Sequence, residues 1–252
     1  MHRFLFGGRW LVGHLVVLAI AAVFIRLGFW QLSRLHEVRT ENARITARER
    51  LPAVPLSSLL PVDGGDPDAV VYRHVTASGT YDPGRQVIVR YRAMGDVTGA
   101  FVVTPLLTGD GPALMVNRGW VALSDPTGPV PPEPPPTGPV TVTGTLLPSE
   151  EGEGPPMRQG GNLEAIRIDL DGWASAFPYR LDPALLRLER SDPPSSELRL
   201  VPPPPLSEGP HLSYAIQWFS FTAIGLIGWA VIIRRAIRDR ASPSGSPASP
   251  VG

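Results

Sequence analysis

The chain has 252 residues, a formal net charge of zero and no cysteine. The absent cysteines exclude a disulfide framework and thiolate ligation of copper, and the balanced charge provides no basic field for nucleic acid. All 23 basic residues are arginine, with no lysine anywhere.

Residues 1–9 carry Arg3 and Arg9 and read as a short cytoplasmic N-terminus. Residues 10–30 form an apolar run bracketed by Trp10 and Trp30, as interfacial aromatic anchors bracket a membrane helix. A cleaved signal peptide is the competing reading, because Ala19-Ile20-Ala21 resembles a small-residue cleavage site. The run continues through Val23, Phe24, Ile25, Leu27 and Phe29, so the segment reads as a retained membrane helix. Residues 31–50 are charged and helix-forming, with no proline before Pro52. The helix is expected to continue into water. Leu32, Leu35 and Ile45 are available for contact, but a solvated helix that merely leads into the domain is the favoured reading.

Residues 31–210 make one extramembrane domain, long enough for a core of ordinary size. After a loop over 51–67, strand-like runs occupy 70–78, 86–92, 100–107, 113–122 and 139–147. Turn signals separate them: Asp82-Pro83-Gly84, a hairpin at Gly109-Asp110-Gly111, and a Pro-rich extended loop over 126–139. Residues 164–169 read as a further strand, with Asp171 capping a short helix over 172–177. Residues 181–189 fit a strand or a helix. Pro202 to Pro205 form a stiff approach to the next span. The expected fold is membrane α+β: two terminal transmembrane helices flanking a β-rich, antiparallel, barrel-like extracytoplasmic domain.

The second span is 211–233, which at about 1.5 Å per residue reaches roughly 34 Å against a hydrocarbon core of about 30 Å. Arg234, Arg235, Arg238 and Arg240 follow it, while 202–210 has no basic residue. The positive-inside rule therefore puts both termini in the cytoplasm of a multi-pass cell (plasma) membrane protein. Arg34, Arg39, Arg44, Arg48 and Arg50 after the first span vote the other way, and a long translocated domain tolerates them. Residues 234–252 form a cytoplasmic tail expected to be disordered.

Catalytic signatures are absent: there is no Gly-x-Ser-x-Gly elbow, phosphate-binding glycine loop or His-Glu-x-x-His. Asp169-Leu170-Asp171-Gly172 starts like a calcium loop, but the remaining ligands do not follow, so helix capping is the better reading. Among the histidines, His2 and His36 sit among surface charges. His74 lies within a strand as a structural group. His14 needs only a bond to another helix. His211 differs, since it starts the second span behind Pro210. At about 100° per residue, His211, Tyr214, Trp218, Thr222, Gly225 and Trp229 share one stripe. That stripe is an interfacial anchor and packing face, or it offers an axial imidazole to a haem with aromatics beside the macrocycle.

Several stretches then align in order: Leu27-Gly28-Phe29-Trp30-Gln31 with Arg34; Arg73-His74-Val75 before Gly79-Thr80-Tyr81-Asp82; Thr104-Pro105-Leu106 before Asn117-Arg118-Gly119-Trp120-Val121; Gly144-Thr145-Leu146; and His211-Leu212-Ser213-Tyr214-Ala215-Ile216-Gln217-Trp218-Phe219. In this order and layout the chain resembles the surfeit-locus-one (Shy-one) family of cytochrome c oxidase assembly factors, in its bacterial branch. The resemblance implies a non-enzymatic role in maturing the haem-copper oxidase, where haem a enters the catalytic subunit. It implies haem a as a cofactor, with His211 the candidate iron ligand and Tyr214 and Trp218 beside it. Arg73 and Arg118 would meet the propionates. Trp30, Gln31, Arg34, His74, Gly79, Tyr81, Asn117, Gly119, Trp120 and Gln217 enter as structural motif positions. Expected partners are the oxidase subunits, haem a synthase and the lipid bilayer. The alternative is a permanent accessory subunit of a respiratory oxidase or supercomplex without its own haem. An anchored enzyme is a third reading, disfavoured by the lack of any nucleophile–base or metal constellation in the sequence. The chain departs from the family at Val38, where a lysine is usual; Arg39 stands next to it.

Overall fold

The computed structural model describes residues 3–60, 67–109, 111–128, 130, 133–152, 154–159, 161–194 and 198–241. In chain order the elements are α1 (Gly8–Glu49), β1 (Val54–Pro55), α2 (Pro67–Val70), β2 (His74–Tyr81), β3 (Val87–Met94), β4 (Val97–Leu107), β5 (Ala113–Ala122), β6 (Pro139–Pro148), β7 (Met157–Gln159), β8 (Asn162–Ala165), α3 (Leu170–Trp173), β9 (Leu181–Asp192) and α4 (His211–Ala241). The chain divides into two units, one of residues 1–43 with 206–252 and one of residues 44–205.

The first unit holds most of α1 and all of α4, the two helices long and apolar enough to cross a membrane. Little of either apolar window is buried, so neither is the core helix of a globular domain. The first run does continue as helix past residue 30, to Glu49. Leu35 and Ile45 on that continuation are buried and Leu32 is not, which is the pattern of a helix with one contact face. His36 is exposed as expected; His2 and the tail 242–252 lie outside the described residues.

The second unit is a nine-stranded sheet in the order β1-β2-β6-β9-β5-β4-β3-β8-β7. Antiparallel pairings dominate, among them the hairpins β3–β4 and β4–β5. The sheet is nevertheless mixed rather than antiparallel, because β1–β2, β3–β8 and β5–β9 run parallel. Parallel pairing needs a long crossover, and the connections from β3 to β8 and from β5 to β9 carry whole strands within them. A two-residue ladder, Thr80↔Leu107 and Tyr81↔Leu106, also joins β2 to β4. Gly79 permits that approach: a Cβ there would lie 2.3 Å from the Leu107 carbonyl oxygen.

The central strands are buried on both faces. Leu114 and Val116 of β5 face one apolar cluster with Val75, Leu146 and Leu186, while Met115 faces another with Val87, Trp173 and Leu185. Each such fully buried aliphatic side chain contributes roughly 1.5–3 kcal/mol of burial free energy. This two-sided burial resolves the segment 181–189 as a strand, since an apolar run without alternation suits a sheet centre. Strand 113–122 has its expected bounds, but 70–73 lies outside β2 and 166–169 outside β8. The short helix is Leu170–Trp173, and its cap is Asp169, not Asp171: Asp169 Oδ1 accepts from Gly172 N at 3.0 Å. The capping reading of that stretch therefore stands two residues earlier than expected.

Candidate functional site

Glycines of α1 seat aromatic rings of α4 within the first unit. A Cβ at Gly13 would lie 2.7 Å from the Trp229 ring, and one at Gly28 2.6 Å from Phe219. Phe24 and Trp218 stack at 5.3 Å and Phe29 meets Phe219 edge-on at 5.5 Å. Packing of small against large residues is how helices associate where lipid offers no hydrophobic contrast.

Two polar bridges join the same helices. Trp229 Nε1 donates to His14 Nδ1 at 2.9 Å, so His14 does bond to the other helix. His211 Nδ1 lies 2.8 Å from Gln31 Oε1. Gln31 is buried, and its amide oxygen can only accept, so in the neutral ring Nδ1 carries the proton. The His211 Nε2 lone pair is then left to point elsewhere. Donation of the second ring N–H to a fixed acceptor is how proteins orient a metal-ligating imidazole. Further along α1, Arg39 Nε and Nη2 bind both oxygens of Glu208 at 2.9 and 2.8 Å. The shared hydrogen bonds hold the Glu208 carboxyl below its usual range and raise Arg39.

The stripe on α4 is thus partly a packing face. Trp218, Thr222 and Trp229 turn toward α1, and Ala215 is buried beside them. Tyr214 is 46% exposed and Gly225 meets nothing within 4 Å, so these two do not share that contact. Gln217 and Trp30 are exposed, and Arg34 pairs with Glu37 on the helix surface.

The remaining expected residues belong to the sheet unit. Arg118 is wholly buried, at 0% exposure. Its Nη1 donates to Gln86 Oε1 at 3.0 Å and Glu133 O at 2.8 Å, and Nη2 to Pro134 O at 3.1 Å. It also lies over the Tyr81 ring, 5.6 Å from the centroid. Burial lowers the pKa of Arg118 and pushes the Tyr81 phenol up to about 12. A guanidinium spent on internal carbonyls presents no fork to an outside propionate, so the expected role for Arg118 gives way to one as a clamp on the loop 126–139. Arg73 is half-buried, and its Nε finds no acceptor among the described residues.

The other motif positions hold the fold. Asn117 Oδ1 accepts from Gly119 N at 3.2 Å beside a bulge between β4 and β5. Trp120 exchanges backbone bonds with Arg199 at 2.8 and 3.2 Å and sends its indole N–H to Arg92 O at 2.7 Å. Gly119 is needed there because a Cβ would stand 2.8 Å from Leu198 Cβ. His74 sits 3.7 Å from Glu189, which also accepts from Arg187 and Thr145. Sequence reading missed this cluster, and it missed the pairing of Gln31 with His211; the only signal for the latter is that both belong to motifs flanking the spans.

Comparison with known proteins was made on the whole chain. The SURF1 family profile matches residues 18–223. An uncharacterized SURF1-like protein of Mycobacterium bovis is 35% identical over 252 residues, covering 97% of this chain and 91% of the relative. A SURF1-like protein of Rickettsia felis is 28% identical over 240 residues, 89% of this chain and 97% of the relative. One from the choanoflagellate Monosiga brevicollis is 28% identical over 242 residues, 87% of each. With the profile spanning both helices and the sheet between them, the chain belongs to the SURF1 family, a family linked to cytochrome oxidase assembly.

Proposed function

We propose that this protein serves cytochrome c oxidase assembly by holding haem a, through His211, on its way into the catalytic subunit. The observation that carries the reading is the Gln31–His211 hydrogen bond, which fixes the imidazole and leaves Nε2 unprotonated at a half-buried helix start. The donor chemistry fits, because imidazole is a common axial ligand of haem iron. Haem a supplies the iron centre; the protein contributes ligation, orientation and release, not bond-making.

In this reading Gln31 positions the ring and exposed Tyr214 lies one turn along α4 as an aromatic flank. Trp218 backs the site by its packing on Phe24. Arg73, with an unused donor, is the arginine proposed for a propionate. The arginines after α4 favour a cytoplasmic C-terminus, which sets both termini inside the cell membrane and the sheet domain outside. The oxidase subunits are the proposed partners, with haem a synthase as the donor side.

The test is an optical spectrum of the full chain purified in detergent from haem a–producing cells, beside His211→Ala. The expected result is a haem a signal in the wild type that is lost in a folded, membrane-inserted variant. A haem-free wild type that stays one-to-one with mature oxidase would overturn the reading in favour of an accessory subunit.

A further inference from the structure

A second site emerges in the sheet unit, unconnected with the haem reading. Asp182, the second residue of β9, is 5% exposed. It nevertheless lines an open cleft of about 530 Å³ where β2, β6 and β9 end beside the β4–β5 turn. Its carboxylate accepts no hydrogen bond from any described residue; only the nearby charge of Arg180 favours its ionised form. Burial pushes the group up to about 6, the direction expected when a charge is desolvated without a partner. Buried carboxylates are normally paired, so one left unpaired at the wall of a cleft is a site for something that pairs with it.

The rest of the lining narrows what that is. Thr76, Ser78, Thr108 and Thr141 line the same cleft, and Leu56 and Ala77 add apolar surface to it. Ser78 and Thr141 hydroxyls bond to each other at 2.9 Å, and each keeps acceptor capacity. No second carboxylate or imidazole joins Asp182 among the described lining residues, which argues against a metal ion. A lone carboxylate at the wall of a cleft lined by hydroxyl-bearing residues takes a compact cation, and an ammonium is a more compact charge than a guanidinium.

We propose that this cleft binds a primary ammonium group on an alkyl stem, seated on Asp182 with the hydroxyls as secondary acceptors. The volume lies within the range of small-molecule pockets, and it accommodates a lysine side chain from a partner polypeptide or a free alkylamine.

The experiment is saturation-transfer NMR on the full chain in detergent. The probes are n-butylammonium and Nα-acetyl-lysine methylamide, with n-butanol and the Nε-acetylated lysine as neutral controls. Expected is transfer to the ammonium probes at least tenfold stronger than to their neutral counterparts, lost in Asp182→Asn. Transfer to both ammonium probes identifies a lysine-competent site; transfer to n-butylammonium alone identifies a free amine. Equal transfer to charged and neutral probes, or an unchanged signal in Asp182→Asn, overturns the proposal. Should that variant fail to fold, Thr141→Val at an exposed rim position replaces it, and undiminished ammonium binding there overturns the proposal as well.

Discussion

The two units of this chain treat their internal polar groups in opposite ways. The helical hairpin buries few, and joins its helices through two imidazoles, each bonded to a neutral side chain, Gln31 for His211 and Trp229 for His14. The sheet unit buries arginines and consumes them. Arg118 is spread over Gln86, Glu133 and Pro134, and Arg90 over the Glu164 carboxylate and the Pro126 carbonyl. One region keeps a ring nitrogen in reserve, while the other converts charge into cross-links between loops and strands. A polar residue in a family motif is therefore evidence of function in the first unit and, as often, evidence of folding in the second.

The comparison breaks first at Trp120. Trp120→Ala removes a buried indole, its bond to Arg92 O and its packing over Gly99, and should cost the sheet unit about 3–5 kcal/mol. Denaturant unfolding of the purified chain reads this, and a loss below about 1 kcal/mol would show that the motif does not hold the fold.

Asp182 is one polar group of the sheet unit that does not follow its rule. Its folded pKa of about 6 lies above the ordinary 3.8, so ionisation is penalised in the folded state. The penalty is absent below about pH 4, grows as pH rises to about 6 and is constant above. Asp182→Asn should then stabilise the unit by about 1–3 kcal/mol at pH 7, with the gain vanishing toward pH 4. A pH-independent difference in midpoint would rule out this origin.

In the hairpin, Gln31→Leu keeps the volume but removes the acceptor for His211 Nδ1. Haem a affinity should fall by about tenfold, as for other second-sphere partners of metal-bound histidine, while the helix content stays the same. Spectral titration of the two proteins measures it; equal affinity would show that the ring needs no orienting partner. Arg39→Gln should be the mildest change. The Arg39–Glu208 pair is solvent-exposed, and a thermal scan should show no resolvable shift in midpoint.

Much of this was legible in the sequence, and the illegible parts have identifiable causes. The spans declared themselves by length and by the tryptophans and arginines at their ends. Strand 113–122 was sharp because turn signals at Gly109-Asp110-Gly111 and at the Pro-rich loop from residue 126 bound a largely apolar run. The nature of 181–189 stayed open because Ala184, Leu185, Leu186 and Leu188 are all buried, which erases the alternation that marks a one-sided strand. Parallel pairing and the two- and three-residue strands β1 and β7 leave no local pattern at all. At the site, His211 was found from its place at a helix start. Its partner Gln31 was known as a motif position but not as a partner, since contact across 180 residues of chain has no spacing to read. Arg118 misled because arginine in a strand is ordinarily a surface residue.

The bond from Trp229 to His14 has a consequence of its own. The indole N–H can only donate, so His14 Nδ1 must hold a lone pair and the neutral ring carries its proton on Nε2. His211 has the reverse tautomer, imposed by Gln31. The hairpin therefore has a chemical direction: at one end its imidazole meets a visitor with an electron pair, at the other with a proton. That polarity is written by two neutral side chains on neighbouring helices.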